Sequence, residues 1–122
     1  MFIVKVPGVN GSKGCERAGN AVLKELENIE INEQGKFIDK NLLDLEEVHI
    51  DNKNLELTNK LIYENALETF ETKPRSIFLG GDHSVSYSLV KAFLDYCRDE
   101  GKESCLVVFD SIGPLSISFI FC

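Results

Sequence analysis

A carboxylate and an imidazole stand side by side at Asp82 and His83, directly after two glycines. The apolar run at residues 77–79 comes just before the glycines and predicts a buried strand. Ser84 follows the pair and is a good N-cap for the helical pattern that begins after it. A strand, a glycine turn and a helix start place both side chains at the carboxyl end of a strand, where open α/β sheets bind their ligands. We therefore interpret residues 80–84 as a corner of an active site.

A second carboxylate, Asp110, ends the next apolar strand, which is predicted over residues 105–109. A right-handed crossover through the intervening helix predicts that the two strands lie close together, often adjacent, in the sheet. His83 and Asp110 then converge at one edge, and an imidazole with carboxylates suits Mn²⁺ or Zn²⁺. Two alternatives stay open, since a His after a glycine turn often only packs or caps, and an Asp at a strand end often caps a helix.

Other chemistries find less support around the same corner. Gly80 and Gly81 lack the Lys of a phosphate-binding loop and the third glycine of a dinucleotide fingerprint, and the adjacent acids repel phosphate. A triad of Ser84, His83 and Asp110 lacks the residues of a nucleophile elbow. The four cysteines form no C-x-x-C pair, which argues against a zinc knuckle or redox motif. We interpret Cys97 and Cys105 as buried thiols and His49 as a surface or packing residue. Ser86 and Tyr87 either line the pocket at the corner or belong to a helix face.

Strand and helix patterns alternate along the chain and must position these side chains. The predicted strands are residues 2–6, 47–51, 76–79 and 105–109. The first predicted helix begins at Cys15 and ends within residues 32–35, the second runs from about residue 55 to 72, and the third covers residues 85–100. Residues 37–45 are irregular, with a helical turn near Asn41. Alternation of this kind predicts βαβ units and a mostly parallel sheet. The fold class is α/β, a three-layer sandwich.

Composition narrows the classes of partner. The chain has 122 residues, which predicts one domain. Its formal net charge is -7 and its pI about 4.8, so we expect no nucleic-acid partner. No apolar run approaches the ~18 residues of a membrane span, and the apolar start is too short for a signal peptide. We expect no membrane association and a cytoplasmic location.

The residues around the corner carry a family resemblance. Residues 78–84, Phe-Leu-Gly-Gly-Asp-His-Ser, resemble the metal-site motif of the ureohydrolases, the family of arginase, agmatinase and formiminoglutamase. Residues 105–110 resemble the strand that delivers the next family motif, Asp-Ala-His-x-Asp. Residues 6–11, Val-Pro-Gly-Val-Asn-Gly, and residues 14–18 are similar to the N-terminal loop and helix. The resemblance covers residues 1 to about 110 and implies the N-terminal half of an arginase-like fold.

The resemblance also implies a function. Ureohydrolases use two Mn²⁺ ions to hydrolyse a guanidino or amidine C–N bond, so a small guanidino compound is the implied substrate and Mn²⁺ the implied cofactor. His83 is implied as the first metal ligand and Asp110 as the carboxylate that bridges both ions. The next two ligands are implied at positions 112 and 114, which hold Ile112 and Pro114. We therefore expect weak or absent metal binding and no useful activity in this chain, and we assign no catalytic residue.

The segment after Asp110 departs from the family pattern. We expect residues 1–110 to form an incomplete arginase-like domain and residues 111–122 to form a divergent apolar tail. One hypothesis is a frameshift or misjoined gene end, which the other two reading frames of the downstream DNA test. The competing hypothesis is a short natural form that serves as a non-catalytic α/β binding or assembly module, with a homo-oligomer as its expected state. A receiver-like or nucleotide-binding half-domain has only the strand and helix alternation in its favour.

Overall fold

The computed structural model describes residues 1–108 and 120–121 of the chain. The described elements, in chain order, are strand β1 (Phe2–Val6), a 3-10 turn (Cys15–Arg17), helix α1 (Ala18–Glu27), a second 3-10 turn (Lys40–Leu42), strand β2 (Asp44–Glu47), helix α2 (Leu55–Thr72), strand β3 (Ser76–Gly80), helix α3 (Val85–Asp99), and the short strands β4 (Leu106–Val107) and β5 (Ile120–Phe121). The alternation predicted from the sequence is present, and so is the turn near Asn41.

Strands β2, β1 and β3 form a parallel sheet with β1 in the middle. Val4 of β1 pairs with Glu46 on one side and with Phe78 on the other. Strand β1 is apolar at every position except Lys5, and its apolar residues are buried. A near-continuous apolar run is typical of a parallel strand that is covered on both faces. The fold class predicted from the sequence is confirmed as α/β with a parallel sheet.

Helices α2 and α3 cover one face of the sheet, which we call the closed face. Phe2, Val4 and Val6 alternate along β1 and therefore point to the same side. They form one buried cluster with Ile62 of α2 and Val85 of α3. Helix α2 begins where the Asn54 side chain accepts a hydrogen bond from the Leu57 N–H, 3.0 Å away. The closed face is the hydrophobic core of the described structure.

Helix α1 lies on the opposite face, which we call the open face, and gives the fold its third layer. Gly19 brings the helix close to the sheet, because a Cβ there would lie 3.4 Å from the Leu79 carbonyl oxygen. Farther along α1 the helix does not pack closely on the sheet, and an apolar groove of about 560 Å³ lies between them. Val22 of α1 and Ile77 of β3 line the groove and are 52% and 42% exposed. The prediction that residues 77–79 form a buried strand is therefore wrong for the Ile77 side chain.

Strand β2 lies three residues earlier than the sequence predicts. We expected a strand over residues 47–51, whereas β2 spans Asp44–Glu47. The backbone decides this register, because the Asp44 N–H donates to the Met1 carbonyl and the Val48 N–H donates to the Lys5 carbonyl. Every side chain of β2 is exposed, so the strand carries no alternating apolar signal. Val48, just after the strand, is buried, and its apolar side chain is the reason that the sequence pattern predicts the strand over residues 47–51.

Two further predictions differ from the structure. Helix α1 ends at Glu27 instead of reaching residues 32–35. Strand β4 pairs antiparallel with β5 and, within the described residues, makes no ladder with β3. The prediction that the strands preceding His83 and Asp110 lie close together is therefore not matched by a shared ladder in the described residues, where the partner of β4 is β5. Asp110 itself, like most of the predicted tail at residues 111–122, lies outside the described residues.

Two remaining predictions concern burial and membrane spans. Cys97 is buried in α3 as expected, whereas Cys105 is exposed because it precedes β4 rather than lying inside a covered strand. Within the described residues, the longest helix is α2, and neither it nor any other helix is both long and apolar enough to cross a bilayer.

Candidate functional site

The corner predicted from the sequence lies at the carboxyl end of β3, and its two glycines are required by close packing. A Cβ on Gly81 would lie 2.0 Å from the Gly8 carbonyl oxygen, and a Cβ on Gly80 would lie 2.8 Å from Val85 Cγ2. Both distances are shorter than any ordinary contact. The corner therefore sits directly against the loop that follows β1, and a side chain at either position would force a neighbouring group to shift.

Asp82 is fully engaged by neighbouring donors. Its Oδ2 accepts a hydrogen bond of 2.7 Å from the Asn10 N–H, and its Oδ1 accepts one of 3.0 Å from the Ser84 N–H. The Ser84 hydroxyl donates to the same Oδ1. The hydroxyl of Ser84, followed by the backbone N–H groups of Asn10, Ser84 and Ser12, lowers the pKa of Asp82. Asp82 is thus an anion whose two oxygens are already used by the protein.

Ser84 has a different role from the predicted one. It precedes α3, but its side chain does not cap the helix, because the hydroxyl donates to Asp82. The turn into the helix is held by Asp82 instead, whose side chain accepts from the Ser84 N–H and whose carbonyl oxygen lies 3.4 Å from the Val85 nitrogen. The N-cap prediction is therefore correct in position and wrong in mechanism.

His83 is the accessible group of the corner. Its ring is exposed, and Nδ1 lies 3.3 Å from the Ser86 hydroxyl. The ring borders an open groove of about 760 Å³ that runs along α3. Tyr87, which is 70% exposed, and Arg98 also line this groove, so Ser86 and Tyr87 do share a surface with His83. A solute can reach His83 without any rearrangement of the described structure.

The described residues do not by themselves make a metal site. No group of three His, Cys, Asp or Glu side chains with the spacing of metal ligands occurs in the described residues. His83 offers one imidazole, and the neighbouring carboxylate of Asp82 is occupied by three donors. A single imidazole does not match the several oxygen ligands that Mn²⁺ prefers. The other predicted ligand, Asp110, is outside the described residues, so its convergence with His83 stays a prediction.

A charged cluster that the sequence analysis missed lies farther along the same groove. Asp95 of α3 accepts a hydrogen bond of 2.8 Å from the Tyr63 hydroxyl of α2 and forms ion pairs with Lys91 and Arg98. The hydrogen bond from Lys91, followed by that from Tyr63, lowers the pKa of Asp95. In the sequence, Lys91 lies four residues before Asp95 and Arg98 three residues after it, and this spacing of opposite charges on a helix predicts ion pairs. The cluster connects α2 to α3 at the rim of the groove.

The parallel sheet and the flanking helices define an α/β protein, and the glycine corner with its accessible histidine lies at the carboxyl end of β3. The model of the Arginase family matches residues 3–111, and the chain belongs to that family. The family resemblance inferred from the corner motif is thereby confirmed, and with it a relationship to the ureohydrolases. No curated protein and no solved structure matches the chain at a significant level.

Proposed function

We propose that His83 and Asp110 are metal ligands of a ureohydrolase-type site, with Mn²⁺ as the metal and a small guanidino compound as the substrate class. The observation that carries the proposal is the position of His83. It is exposed at the carboxyl end of β3, in a chain of the Arginase family, while its neighbour Asp82 is held by the protein. This leaves the imidazole as the group of the corner that is available to a metal. A cytoplasmic location remains part of the proposal.

We further propose that the 122-residue chain does not hydrolyse guanidino compounds by itself. Metal-assisted hydrolysis needs enough ligands to hold the ion and to activate water. The two proposed ligands are followed by Ile112 and Pro114 at the positions where the family resemblance implies further ligands. Neither side chain binds a metal. We assign residues 1–110 to the arginase-like unit and residues 111–122 to a separate tail.

The direct test is an assay of urea release from agmatine and from arginine with Mn²⁺ present. We expect no release above that of the buffer with Mn²⁺. Release at an enzymatic rate, abolished by His83→Ala, would contradict the proposed inactivity while supporting the site.

A variant that restores ligands tests the site separately from activity. We expect Ile112→His combined with Pro114→Asp to bind Mn²⁺ at least tenfold more tightly than the unaltered chain, because two ligand side chains join the proposed pair. The same double variant with Asp110→Asn is the matched control and should lose that gain. Equal Mn²⁺ affinity in all three proteins would contradict the assignment of Asp110.

A non-catalytic assembly module is the second candidate, and one observation favours it. The open face exposes the apolar groove beside α1, which includes Val22 and Ile77. Apolar surface of this kind often marks a contact between protein chains. Light scattering of the purified chain and of Val22→Lys tests the candidate. A dimer that dissociates in the variant supports it, and a monomer in both proteins excludes it.

A further inference from the structure

The loop that follows β1 is held from two sides by side chains distant in sequence. Asn52 donates to the Pro7 carbonyl at 3.0 Å and accepts from the Val9 N–H at 2.9 Å. On the other side, Asp82 accepts from the Asn10 N–H at 2.7 Å, and its own N–H donates to the Gly8 carbonyl at 3.1 Å. Residues 7–10 therefore lie between two polar clamps, and only the Asp82 clamp reaches the corner that carries His83.

The two oxygens of Asp82 serve different segments of the chain. Oδ2 contacts the loop through Asn10, whereas Oδ1 contacts the turn through the N–H and hydroxyl of Ser84. Hydrogen bonds to an ionised carboxylate are roughly twice as strong as neutral ones. Only a side chain with two acceptor oxygens can hold both segments at once. An amide of the same shape has one acceptor and must leave one of the segments without a partner.

We propose that Asp82 is the positioning residue of this corner, and that it fixes the loop of residues 8–12 and the backbone of His83 in one arrangement. In this role Asp82 acts through His83 rather than binding a ligand itself. The part of the proposal that concerns metal binding rests on the proposed function of His83. The part that concerns the loop is independent of it. The close approach of Gly81 to the Gly8 carbonyl oxygen supports the proposal, because that contact requires a fixed loop.

Amide hydrogen exchange in the full chain, compared between wild type and Asp82→Asn, tests the clamp. The loss of a charge-assisted hydrogen bond corresponds to a change in exchange of roughly ten- to a hundredfold. We expect the amide of Asn10 or of Ser84, whichever loses the acceptor, to exchange at least tenfold faster, with Val4 in the core as the internal reference. Unchanged exchange at both amides would overturn the proposal. Ser84→Ala is the matched control and should leave Asn10 within about threefold.

A measurement on the wild-type chain covers the case in which Asp82→Asn does not fold. Scalar coupling across the hydrogen bond, between the Asn10 amide nitrogen and the Asp82 carboxyl carbon, reports the clamp without any substitution. Detection of this coupling supports the clamp, and its absence from a spectrum that shows the backbone couplings of β1 would overturn it.

Manganese titration separates this proposal from the proposed function. If Asp82 positions His83, the Mn²⁺ concentration that half-broadens the His83 ring signals should be about tenfold higher in Asp82→Asn than in wild type. Identical titrations in the two proteins would overturn the positioning of His83. Absence of broadening in wild type would instead contradict the proposed function, while the exchange comparison still decides the clamp of the loop.

Discussion

The two faces of the parallel sheet are covered to very different extents. On the closed face, Ile62 and Val85 are 1% and 4% exposed and pack against the alternating side chains of β1. On the open face, Val22 and Ile77 are about half exposed, at 52% and 42%, beside a groove of about 560 Å³. Both faces are apolar in sequence. Only one of them is a packed interior in the described structure.

The packing of the closed face explains how the corner is held in place by a parallel sheet that has three strands in the described structure. Val85 is the first residue of α3 and belongs to the closed face. A Cβ on Gly8 or on Gly80 would lie 2.7 Å or 2.8 Å from its methyl groups. The core of the closed face therefore reaches directly to the loop and to the glycine turn. Among the residues that the structure describes, the open face provides no comparable contact to the corner.

Truncation of an isoleucine on each face should give the largest contrast. Ile62→Ala removes a fully buried side chain, and we expect it to lower the free energy of unfolding by about 2–5 kcal/mol. Ile77→Ala is the matched change on the open face, and we expect a loss below about 1.5 kcal/mol, because much of the side chain already meets water. Urea unfolding followed by circular dichroism measures both. Equal losses would mean that the groove is closed in solution.

A glycine substitution in the corner should have the next largest effect. Gly81→Ala places a methyl group against the Gly8 carbonyl oxygen, a backbone atom that cannot turn away. We expect a loss of about 1–3 kcal/mol, the usual cost of overpacking. Gly19→Ala on the open face is the control, since its added methyl group would meet its nearest atom at 3.3 Å, the flexible Lys5 side chain. A tolerated Gly81→Ala beside a damaging Gly19→Ala would contradict the contrast between the faces.

The smallest of these effects concerns Asp95, at the rim of the His83 groove. Its pKa is lowered in the folded chain, first by the hydrogen bond from Lys91 and then by that from Tyr63, with Arg98 adding a favourable charge. A lowered folded pKa means that the contribution to stability is present above the unfolded pKa of about 3.9 and is lost as the pH falls through the folded value. The stability difference between wild type and Asp95→Asn should therefore be largest near neutral pH and shrink in acid.

Urea unfolding of both proteins between about pH 7 and pH 3 measures this difference. Tyr63→Phe should show part of the loss of stability that Asp95→Asn shows near neutral pH, because it removes one of the hydrogen-bond donors to Asp95. A stability difference that stays constant, or grows, toward acid would show that the pKa of Asp95 is not lowered by folding.

The sequence predicted the elements that have strong periodic patterns. Strand β1 and helix α2 have the predicted bounds, and the corner lies at the end of β3, because apolar periodicity and the glycine pair are local signals. Strand β2 was misplaced for the opposite reason. Its four side chains are exposed, and its register is set by backbone hydrogen bonds to β1 that leave no trace in the side-chain pattern.

The candidate site was predictable in part. The position and accessibility of His83 follow from the glycine turn at the end of a strand. The engagement of Asp82 was not predictable, since its partner in the loop is the backbone N–H of Asn10, which any residue except proline would supply. The groove on the open face was also missed. The helical pattern that begins at Cys15 predicts α1, and that pattern does not tell how closely the helix approaches the sheet.

The two histidines of the chain provide the most direct test of the central claim, which is that the glycine corner carries a metal ligand. His83 lies at the corner, and His49 is exposed shortly after β2, so it serves as an internal control. In a Mn²⁺ titration followed by NMR of the imidazole signals, we predict that His83 broadens at lower Mn²⁺ than His49 and that Asp110→Asn removes the difference. Equal broadening of both histidines, or a preference for His83 that persists unchanged in Asp110→Asn, would contradict the account.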